Sequence, residues 1–382
     1  MQQVALGEVV RIDRTPATDA DCRSLPYVGL EHIEKDIGRF ASDYDGSVAD
    51  MLATQFRFTS EHVLYGKLRP YLNKVALPNF DGVCTTEILP LLPKSAKLDR
   101  TYLWAMLLSP KFVEWASNNV SGANLPRLAP SLLAEYPIPL PPLAEQERIA
   151  GLLRRADRLR RLRRYALAVS AGYLQAVFVE MFGDPASNPK QWKREYIGDV
   201  LRDTQYGTSE KSNQERRGYP VLGMANITYS GNLALENLSY VELDDREYRT
   251  LRLQPGDIIF NRTNSTELVG KTAHWNLTID AVLASYLVKL QLVDRITPDY
   301  FTALLNTPYY KLLFQGRCKK AVGQSNISPT LLKEFPMLSP PVNLQEEYGL
   351  IVAKHRRLQL QQEEALRQTE HLFQALLWRA FV

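Results

Sequence analysis

PIPLPPLAEQERIAGLLRRADRLRRLRRYAL, residues 137–167, is the stretch that decides the fold. Four prolines fall within residues 137–142. Proline lacks an N–H and clashes with the preceding turn of a helix, so this cluster ends whatever element precedes it. From Leu143 onward, apolar residues recur at three- and four-residue spacing, which is typical of a helix that packs along a partner helix. The stretch therefore predicts a globular part that stops at the prolines and a long helix that begins directly after them.

The same arrangement occurs again near the C-terminus. PSLLAEYPIPLPP (130–142) aligns with PTLLKEFPMLSPP (329–341) at an offset of 329 − 130 = 199, and Gln146 then meets Gln345. Further upstream, TYLWAMLLSPKF (101–112) matches DYFTALLNTPYY (299–310) at an offset of 198. The chain is thus predicted to be a tandem duplication, each copy being a globular part, a proline-rich break and a helix.

Each globular part is predicted to be α+β. The runs HVLYGKL (62–68), VCTTEILPLL (83–92), GDIIFNR (256–262) and AVLASYLVKLQLV (281–293) are short, rich in β-branched or aromatic residues and bounded by turn formers, so they predict strands. The matched segments around Pro110 and Pro308 predict helix pairs broken at the prolines.

The two long helices are each about 40 residues, or roughly 60 Å at 1.5 Å per residue, and neither can bury its apolar stripe alone. We expect them to pack on each other as a coiled coil. An antiparallel pair is favoured, because it places the globular parts at opposite ends and relates the copies by an approximate two-fold axis. The predicted stripe consists of Leu143, Ile149, Leu152, Ala156, Leu159, Leu162, Ala166, Val169, Tyr173 and Val177 in the first helix, and Leu344, Tyr348, Ile351, His355, Leu358, Gln362, Leu366, Thr369, Leu372 and Leu376 in the second.

Composition is that of a soluble protein with two or three domains: 382 residues, 45% hydrophobic and 23% charged. The net charge of +4 is compatible with a nucleic-acid partner without demanding one. Three scattered cysteines have no metal-ligand spacing, which favours a reducing compartment. The charged N-terminus does not resemble a signal peptide, and no membrane span is expected. A cytoplasmic location is therefore predicted.

No motif in the chain predicts catalysis. STELVGKT (265–272) resembles a phosphate-binding loop but has Ser265 where the first glycine is needed. NTPYY (306–310) resembles a base-holding methyltransferase motif but lies in a helical pattern, which favours a plain helix break. The sequence lacks GxSxG, HExxH and any Cys/His cluster. A non-catalytic recognition or scaffold protein is therefore favoured.

Residues 154–164, RRADRLRRLRR, are unusually basic. Seven of these eleven residues are arginine, and Asp157 is the lone acid. Because solvated helix faces usually alternate in sign, we expect contact with a DNA backbone or an acidic protein surface, with a plain solvated face as the alternative. Since the seam leucines continue through the run, the arginines are expected on the flanks and outer face. The candidates for partner docking or DNA-backbone contact are Arg154, Arg155, Arg158 and Arg161.

Loops at matching places in both copies carry side chains suited to reading DNA. Arginine pairs with guanine, asparagine and glutamine pair with adenine, and lysine neutralises phosphate. Such loops are common on protein surfaces, but their recurrence in both copies strengthens the prediction. The candidate DNA-binding residues are Lys67, Arg69, Lys74, Asn124 and Arg127 in the first copy, and Lys211, Arg216, Arg217, Arg262, Asn264, Lys271, Lys319, Lys320, Gln324 and Asn326 in the second.

GANLPRLAPSLLAEYPIPLPPLAEQERIAGLL, residues 122–153, resembles the central conserved region of type I restriction–modification specificity subunits. FGDPASNPKQWKREYIGDV (182–200) resembles the entry to the second target-recognition domain of that family. The resemblance follows the family's order along the whole chain. It implies target-recognition domains at 1–141 and 184–340, each reading one half of a bipartite site, and conserved spacer helices at 142–183 and 341–382.

The resemblance also implies the partners. Two modification subunits would dock on the helices, carrying S-adenosylmethionine and flipping adenines for N6 methylation. A restriction subunit using ATP and Mg²⁺ can join them, and this chain itself would need no cofactor or metal. Val342 and Asn343 depart from the Leu143 and Ala144 of the first copy, so docking at the two helices need not be equal. The rival hypotheses are a coiled-coil scaffold without sequence-specific DNA binding and a stand-alone nuclease or methyltransferase.

Overall fold

A computed structural model describes residues 3–41, 43–48, 55–94, 97–321 and 324–382. The chain forms two compact units: unit 1 is Met1–Ala166 with Gln362–Val382, and unit 2 is Leu167–Gln361. Each unit therefore contains a globular part together with a segment of each long helix. The four-segment division implied by the family resemblance follows a different criterion and stays a prediction.

Unit 1 mixes short strands and helices, and the N-terminal strand pairs with residues of the proline-rich break. Its strands are Gln3–Ala5, Val10–Ile12, Tyr27–Val28, Gln55–Phe58, Val63–Gly66, Val75–Ala76, Gly82–Thr85, Ile88–Pro93, Val120–Ser121, Arg127–Leu128 and Pro137–Pro139. Its helices are Leu6–Val9, Asp19–Ser24, Arg100–Leu108, Pro110–Asn118 and Pro130–Glu135, with 3-10 turns at Leu30–His32 and Pro70–Leu72. The predicted break at Pro110 is confirmed, because Ser109 caps the second helix of the pair.

Unit 2 repeats this arrangement. Its strands are Lys193–Tyr196, Leu201–Tyr206, Tyr219–Leu222, Ser239–Val241, Ile258–Asn261, Thr263–Asn264, Thr272–His274, Val282–Leu283, Leu287–Leu292, Lys319–Ala321, Gln324–Asn326 and Pro336–Ser339. Its helices are Tyr173–Phe182, Asp245–Leu251, Pro298–Leu305, Pro308–Arg317 and Pro329–Lys333, with 3-10 turns at Ile197–Val200 and Met224–Asn226. The two long helices are Leu143–Ser170 and Val342–Phe381. The prediction of mixed helix and sheet is confirmed.

The main sheets of the two units share one topology. Unit 1 has an antiparallel four-stranded sheet in the order Val10–Ile12, Ile88–Pro93, Val63–Gly66 and Val75–Ala76. Unit 2 has the equivalent sheet in the order Leu201–Tyr206, Leu287–Leu292, Ile258–Asn261 and Thr272–His274. A short parallel strand pair also recurs, Tyr27 facing Val83 and Val221 facing Val282. The internal repeat inferred from sequence is thus visible in the strand order.

A buried glutamine ties each long helix to its own globular part. The Oε1 atom of Gln146 accepts from the Asp99 N–H at 2.9 Å, and its Nε2 donates to the carbonyls of Lys97 and Pro141. Gln345 makes the same three contacts, with Thr297, Arg295 and Pro340.

Both glutamines are 0% exposed, so their amide groups depend entirely on these bonds. The glutamine of the repeated PP-x-x-x-Q pattern therefore fixes where each helix leaves its globular part.

Within each unit the two helix segments run antiparallel. In unit 1, Arg163 donates to Gln362 at 2.9 Å while Leu153 and Leu376 line one groove, so residue numbers rise along one helix as they fall along the other. In unit 2, His355 lies 3.2 Å from the Ser170 carbonyl and the Tyr348 hydroxyl 3.4 Å from the Leu174 carbonyl, with the same sense.

The predicted apolar stripe is wrong in the middle of the first helix. Leu159 and Leu162 are 46% and 54% exposed, whereas Arg160 is 1% exposed. The second helix shows the same error at Leu358 and Leu372, which are exposed. Four further residues of the predicted stripe are also exposed: Leu143, Ala166, Val169 and Tyr173. The reason is that the contact between the helices of unit 1 is made there by arginine and glutamate, not by leucine.

One segment also contradicts the expectation that no run is long and apolar enough to cross a membrane. The helical segment Leu143–Phe182 contains an 18-residue stretch with a mean hydropathy of 1.3. By length and composition alone, this stretch could cross a membrane. This is weak evidence, because Phe178 and Phe182 at its end belong to the hydrophobic core of unit 2.

Candidate nucleic-acid interface

A small three-stranded sheet gathers six of the candidate residues of unit 2. The strands Thr263–Asn264, Gln324–Asn326 and Lys319–Ala321 pair antiparallel in that order. We call this the small sheet of unit 2. It brings together Arg262, Asn264, Lys319, Lys320, Gln324 and Asn326, which are separated by up to 64 residues in the sequence (326 − 262). The sequence could not show this juxtaposition, because it arises from pairing between distant strands.

The small sheet offers both reading and neutralising groups. Lys319, Lys320 and Gln324 are exposed, and Glu267 is a charged neighbour of Lys320. Asn326 donates from Nδ2 to Thr263 at 2.8 Å, so its amide nitrogen is already engaged. The Asn264 Oδ1 accepts from the Ser265 N–H at 2.8 Å, which leaves its amide N–H groups to donate. The sheet can thus neutralise phosphates with lysine and present amides to base edges.

Arg262 stands next to this sheet in a defined position. Its guanidinium carbon lies 4.9 Å from the centre of the Tyr206 ring, and Nη1 donates to the Ser285 carbonyl at 3.3 Å. Its Nε is buried without a hydrogen-bond partner in the described part of the chain. Stacking on tyrosine fixes the plane of the guanidinium, as bidentate recognition requires.

Unit 1 has an equivalent edge built on the same backbone frame. Leu128 N–H donates to the Lys67 carbonyl at 3.0 Å, as Ile327 N–H donates to Arg262 at 2.8 Å. Leu68 bridges to Arg127, which pairs in turn with Ser121. This edge, formed by residues 67–69 and the hairpin 120–128, gathers four candidates of unit 1. They are Lys67, Arg69, Asn124 and Arg127.

The side chains of Arg69 and Arg127 differ in exposure and in their contacts with the rest of the protein. Arg69 is exposed and has a left-handed backbone with φ 51°, which is uncommon outside glycine. Arg127 is held by Glu87, with Nε 3.0 Å from a carboxylate oxygen, and this hydrogen bond raises its pKa. Arg69 is therefore the better placed of the two to meet a ligand, while Arg127 shapes the hairpin.

Two predicted DNA-binding lysines are structural. Lys271 is 6% exposed and donates from Nζ to the Met224 and Ile227 carbonyls. Lys74 donates to the Leu30 carbonyl at 2.6 Å at the matching place in unit 1. Burial lowers the pKa of both amines. Each lysine secures a 3-10 turn to the main sheet, and the prediction that they bind DNA is not supported by these contacts.

The remaining candidates of unit 2 lie on the loop 207–218. Lys211, Arg216 and Arg217 are all exposed. Asn213 organises this loop, because its side chain bonds the backbone of Arg217 and its backbone pairs with Tyr240. The Arg217 guanidinium lies 3.6 Å from Glu215, a weak surface ion pair.

The arginine run divides into two sets. Arg154, Arg155, Arg158 and Arg161 are exposed, as predicted for the outer face, although Arg161 also contacts Asp157 at 3.0 Å. Arg160, Arg163 and Arg164 instead face the second helix. The expectation that all the arginines occupy flanks and outer face is therefore wrong for these three.

Arg160 is the centre of the second set. Its Nε donates to Asp157 at 2.8 Å, Nη2 donates to the Ile37 carbonyl, and Nη1 lies 3.5 Å from Glu370. The guanidinium sits 3.8 Å from the centre of the Phe373 ring. Sequence reasoning missed this residue because leucine spacing, and not charge pairing between the helices, defined the predicted seam.

Two motif resemblances noted in the sequence have structural roles in the fold. No group of three or more His, Cys, Asp or Glu side chains that could hold a metal ion occurs in the ranges the structure describes. The phosphate-loop resemblance at 265–272 also fails, because its lysine is the buried Lys271. Asn306 of the NTPYY stretch ends one helix and bonds Thr272 and Lys311, which is a structural role.

Comparison with known proteins finds similarity to type I restriction enzyme specificity subunits. The family model described as Type I restriction modification DNA specificity domain matches residues 49–166. The chain is 32% identical over 174 residues to the type I restriction enzyme EcoDI specificity subunit of Escherichia coli, covering 44% of this chain and 38% of that protein. It is 26% identical over 284 residues to the EcoKI specificity subunit of E. coli K12, covering 68% and 60%. The matches thus span less than two thirds of either relative.

Two solved structures share the fold along the whole chain. One, from a study of complex assembly and conformational transition of the type I R-M system, has a TM-score of 0.61 at 23% identity and covers 100% of this chain and 97% of that one. The other, a type I restriction–modification S subunit from M. genitalium, has a TM-score of 0.62 at 15% identity and covers 100% and 96%. The resemblance stated from the sequence is confirmed.

Proposed function

Because the chain is a relative of the type I restriction enzyme specificity subunits, we propose that it is a non-catalytic subunit that selects the DNA sequence on which its complex acts. Each unit reads one half of a bipartite site. The two target-recognition domains correspond to residues 1–141 and 184–340. The antiparallel helices between them relate the copies by an approximate two-fold axis.

One observation carries this proposal: the two units present equivalent polar edges on one backbone frame but with different side chains. Unit 1 offers Lys67 and Arg69 where unit 2 offers Arg262 and Asn264. An arginine favours guanine and an asparagine favours adenine. A repeated backbone frame that carries different base-contacting side chains is suited to two half-sites of different sequence. A scaffold protein that does not bind DNA would have no need of a polar edge in each unit.

The same proposal assigns the catalysis to partners. Two modification subunits dock on the long helices, where Arg154, Arg155, Arg158 and Arg161 are exposed. They supply S-adenosylmethionine and transfer methyl groups to adenine N6, and a restriction subunit supplies ATP- and Mg²⁺-dependent cleavage. In this proposal, the exposed arginine face of the first long helix binds the modification subunits or the DNA backbone. A cytoplasmic location belongs to the same proposal.

The test is selection of sites from randomised DNA by this chain with its purified modification subunit. Recovery of two fixed blocks separated by a gap of constant length supports the proposal, and retention of DNA without sequence preference overturns it. Methyl transfer by this chain alone is the control for a stand-alone enzyme, and we expect none. Exchanging residues 1–141 for those of another specificity subunit should change one block only.

The helices can be tested as a ruler in the same assay. Adding or deleting two helical turns after Pro142 should change the gap and keep both blocks, because the helix separates the reading domains in this proposal. An unchanged gap would remove the ruler role while leaving sequence reading intact.

A further inference from the structure

The side chain of Arg262 in unit 2 is held by an aromatic ring and a backbone carbonyl together. Its guanidinium carbon lies 4.9 Å from the centre of the Tyr206 ring, and its Nη1 donates to the Ser285 carbonyl at 3.3 Å. A cation over an aromatic face is attracted by the quadrupole of the ring, and a planar guanidinium also stacks on it. The ring therefore restricts the plane of the guanidinium, and the carbonyl restricts its rotation within that plane.

The backbone that carries these two contacts is fixed. Gly207 directly follows Tyr206, and a Cβ atom on it would lie 2.1 Å from the Leu283 carbonyl oxygen, which leaves room for glycine alone. The Ser285 N–H donates to the Thr208 carbonyl at 2.8 Å. The segment that supplies the ring is thus bonded to the segment that supplies the carbonyl, and both belong to one rigid frame.

The donors that Arg262 can offer to a ligand are its two outer nitrogens. The side chain is half-buried, and its Nε atom is enclosed by the protein. Each outer nitrogen carries two hydrogens, and Nη1 uses one of them for Ser285. The second hydrogen of Nη1 and one hydrogen of Nη2 then form a pair of parallel donors at the end of the side chain.

A pair of parallel donors fits guanine better than the other bases. In the major groove guanine presents two neighbouring acceptors, O6 and N7, whereas adenine presents a donor beside its N7. Contact with a phosphate requires charge but no fixed plane. Holding the guanidinium plane in advance therefore favours reading a base edge over neutralising the DNA backbone.

Unit 1 has a different cation at the equivalent backbone position. The Lys67 N–H donates to the Glu87 carbonyl at 2.9 Å, as the Arg262 N–H donates to the Tyr286 carbonyl at 3.1 Å. Lysine is a point charge on a flexible stem and has no planar fork. Lys67 therefore suits a phosphate contact at the place where unit 2 has a guanidinium.

The aromatic ring is also particular to unit 2. Ile12 and Thr204 occupy equivalent positions in the edge strands of the two main sheets, so Arg14 stands where unit 2 has Tyr206. Arg14 offers no aromatic face to a neighbouring cation. The fork and the ring that holds it thus occur together in unit 2 and are both replaced in unit 1.

Resting on the proposed function, we infer that Arg262 reads one guanine in the half-site bound by unit 2 and that Tyr206 is the positioning residue for this contact. Tyr206 holds the guanidinium plane, and the two outer nitrogens donate to O6 and N7 of the guanine. Tyr206 is 48% exposed, so its ring lies at the surface where the DNA binds.

The first test repeats the selection from randomised DNA with the full chain and its modification subunit. The parent complex should select guanine at one position of one block. Arg262→Met should reduce that preference about fivefold or more, because the bidentate contact is lost, and should keep the other positions. Selection without any sequence preference by the parent overturns the proposed function itself. Unaltered blocks in Arg262→Met overturn only the present inference.

Tyr206 is tested at the same position of the block. Tyr206→Leu should reduce the preference for guanine roughly two- to fivefold, as expected for a cation–π contact at an exposed site, and Tyr206→Phe should retain it because the ring is kept. In the Arg262→Met chain, Tyr206→Leu should change the base preference no further.

Tyr196→Leu is the matched control, because it removes a ring at a 59% exposed position in another sheet of unit 2. It should leave the preference for guanine unchanged. Equal effects of the two leucine variants, or a further loss when Tyr206→Leu is added to Arg262→Met, would reject the positioning role.

A duplex containing 7-deazaguanine at the selected position distinguishes base reading from a phosphate contact. This base replaces N7 by a C–H group and keeps O6, the base pairing and the phosphates. The parent complex should bind it roughly two- to tenfold more weakly than the guanine duplex, since one of two hydrogen bonds is lost. The Arg262→Met complex should bind both duplexes equally. Equal binding of both by the parent would assign Arg262 to the backbone and overturn the inference.

Discussion

The two units solve the same structural problem with different side chains at the point where the long helices meet. Unit 1 closes its helix pair with buried Arg160 between Asp157, Glu370 and Phe373. Unit 2 uses Tyr173 stacked on His355 at 5.4 Å and leaves a cavity beside them. The backbone frame is repeated, while the groups that fill it are not. The two copies therefore share the backbone contacts that hold each unit together, but they differ in the side chains that lie between the helices.

The largest expected effect is at Arg160. Arg160→Ala removes a buried guanidinium that contacts Asp157, the Ile37 carbonyl and the Phe373 ring. We expect a loss of about 3 kcal/mol, at the upper end of the cost of leaving buried polar groups unpaired, because Arg161 and Arg164 still pair with the two carboxylates. Hydrogen exchange should show loss of protection in unit 1, with unit 2 unchanged. Arg158→Ala, on the exposed face of the same helix, is the control and should have little effect. Equal effects of the two variants would contradict a structural role for Arg160.

The second effect tests what the repeat preserves. Gln146→Ala and Gln345→Ala each remove a buried amide that makes three hydrogen bonds, and leaving buried polar partners unpaired costs about 1–3 kcal/mol. We expect similar losses, each confined to its own unit in hydrogen exchange. A large loss for one glutamine and none for the other would show that the junctions are not equivalent.

The third prediction separates structural from DNA-binding lysines. Lys319→Ala should weaken DNA binding by the assembled complex and lower the slope of log affinity against log salt by about 0.9, the contribution of one phosphate contact. Lys271→Met should leave the slope unchanged and destabilise unit 2, because its amine bonds only carbonyls. Salt titration of site binding measures both. An altered slope for Lys271→Met would restore it as a phosphate contact.

The smallest effect is a pH dependence confined to unit 2. Burial, together with the nearby Lys271, lowers the pKa of Lys311 to about 8, and Val113 stands at the matching place in unit 1 (311 − 198 = 113). The unfolded chain keeps this proton to a higher pH than the folded chain, so the contribution of Lys311 to stability rises from about pH 8 toward the ordinary lysine pKa of roughly 10.4. Lys311→Met should remove that rise. Urea unfolding of both chains between pH 7.5 and 10 measures the difference, and a difference that does not vary with pH would contradict the account.

Local pattern predicted the repeat, the breaks at Pro110 and Pro308 and the main strands correctly, because proline chemistry and β-branched runs act over a few residues. The helix seam failed at Leu159 and Leu162. Their spacing was apolar and regular, but Glu370 and Phe373 on the other helix select Arg160 instead. Partners about 200 residues away are not visible in a local period.

The candidate interface shows the same limit. The sequence predicts polar loops at matching places in both copies, and the small sheet of unit 2 brings together six of the ten candidate residues of that unit. Lys271 and Lys319 nevertheless look alike in sequence. One is buried against carbonyls and the other is exposed, and strand pairing alone decides which.

The central claim is that equivalent edges of the two units read separate halves of one DNA site. The most direct measurement transplants the unit 1 readers into unit 2, as Arg262→Lys with Asn264→Arg, and repeats the selection from randomised DNA with the modification subunit. The account predicts that one block changes while the other block and the gap stay the same. Unchanged blocks in a variant that still folds and assembles, or simultaneous change of both, would contradict it.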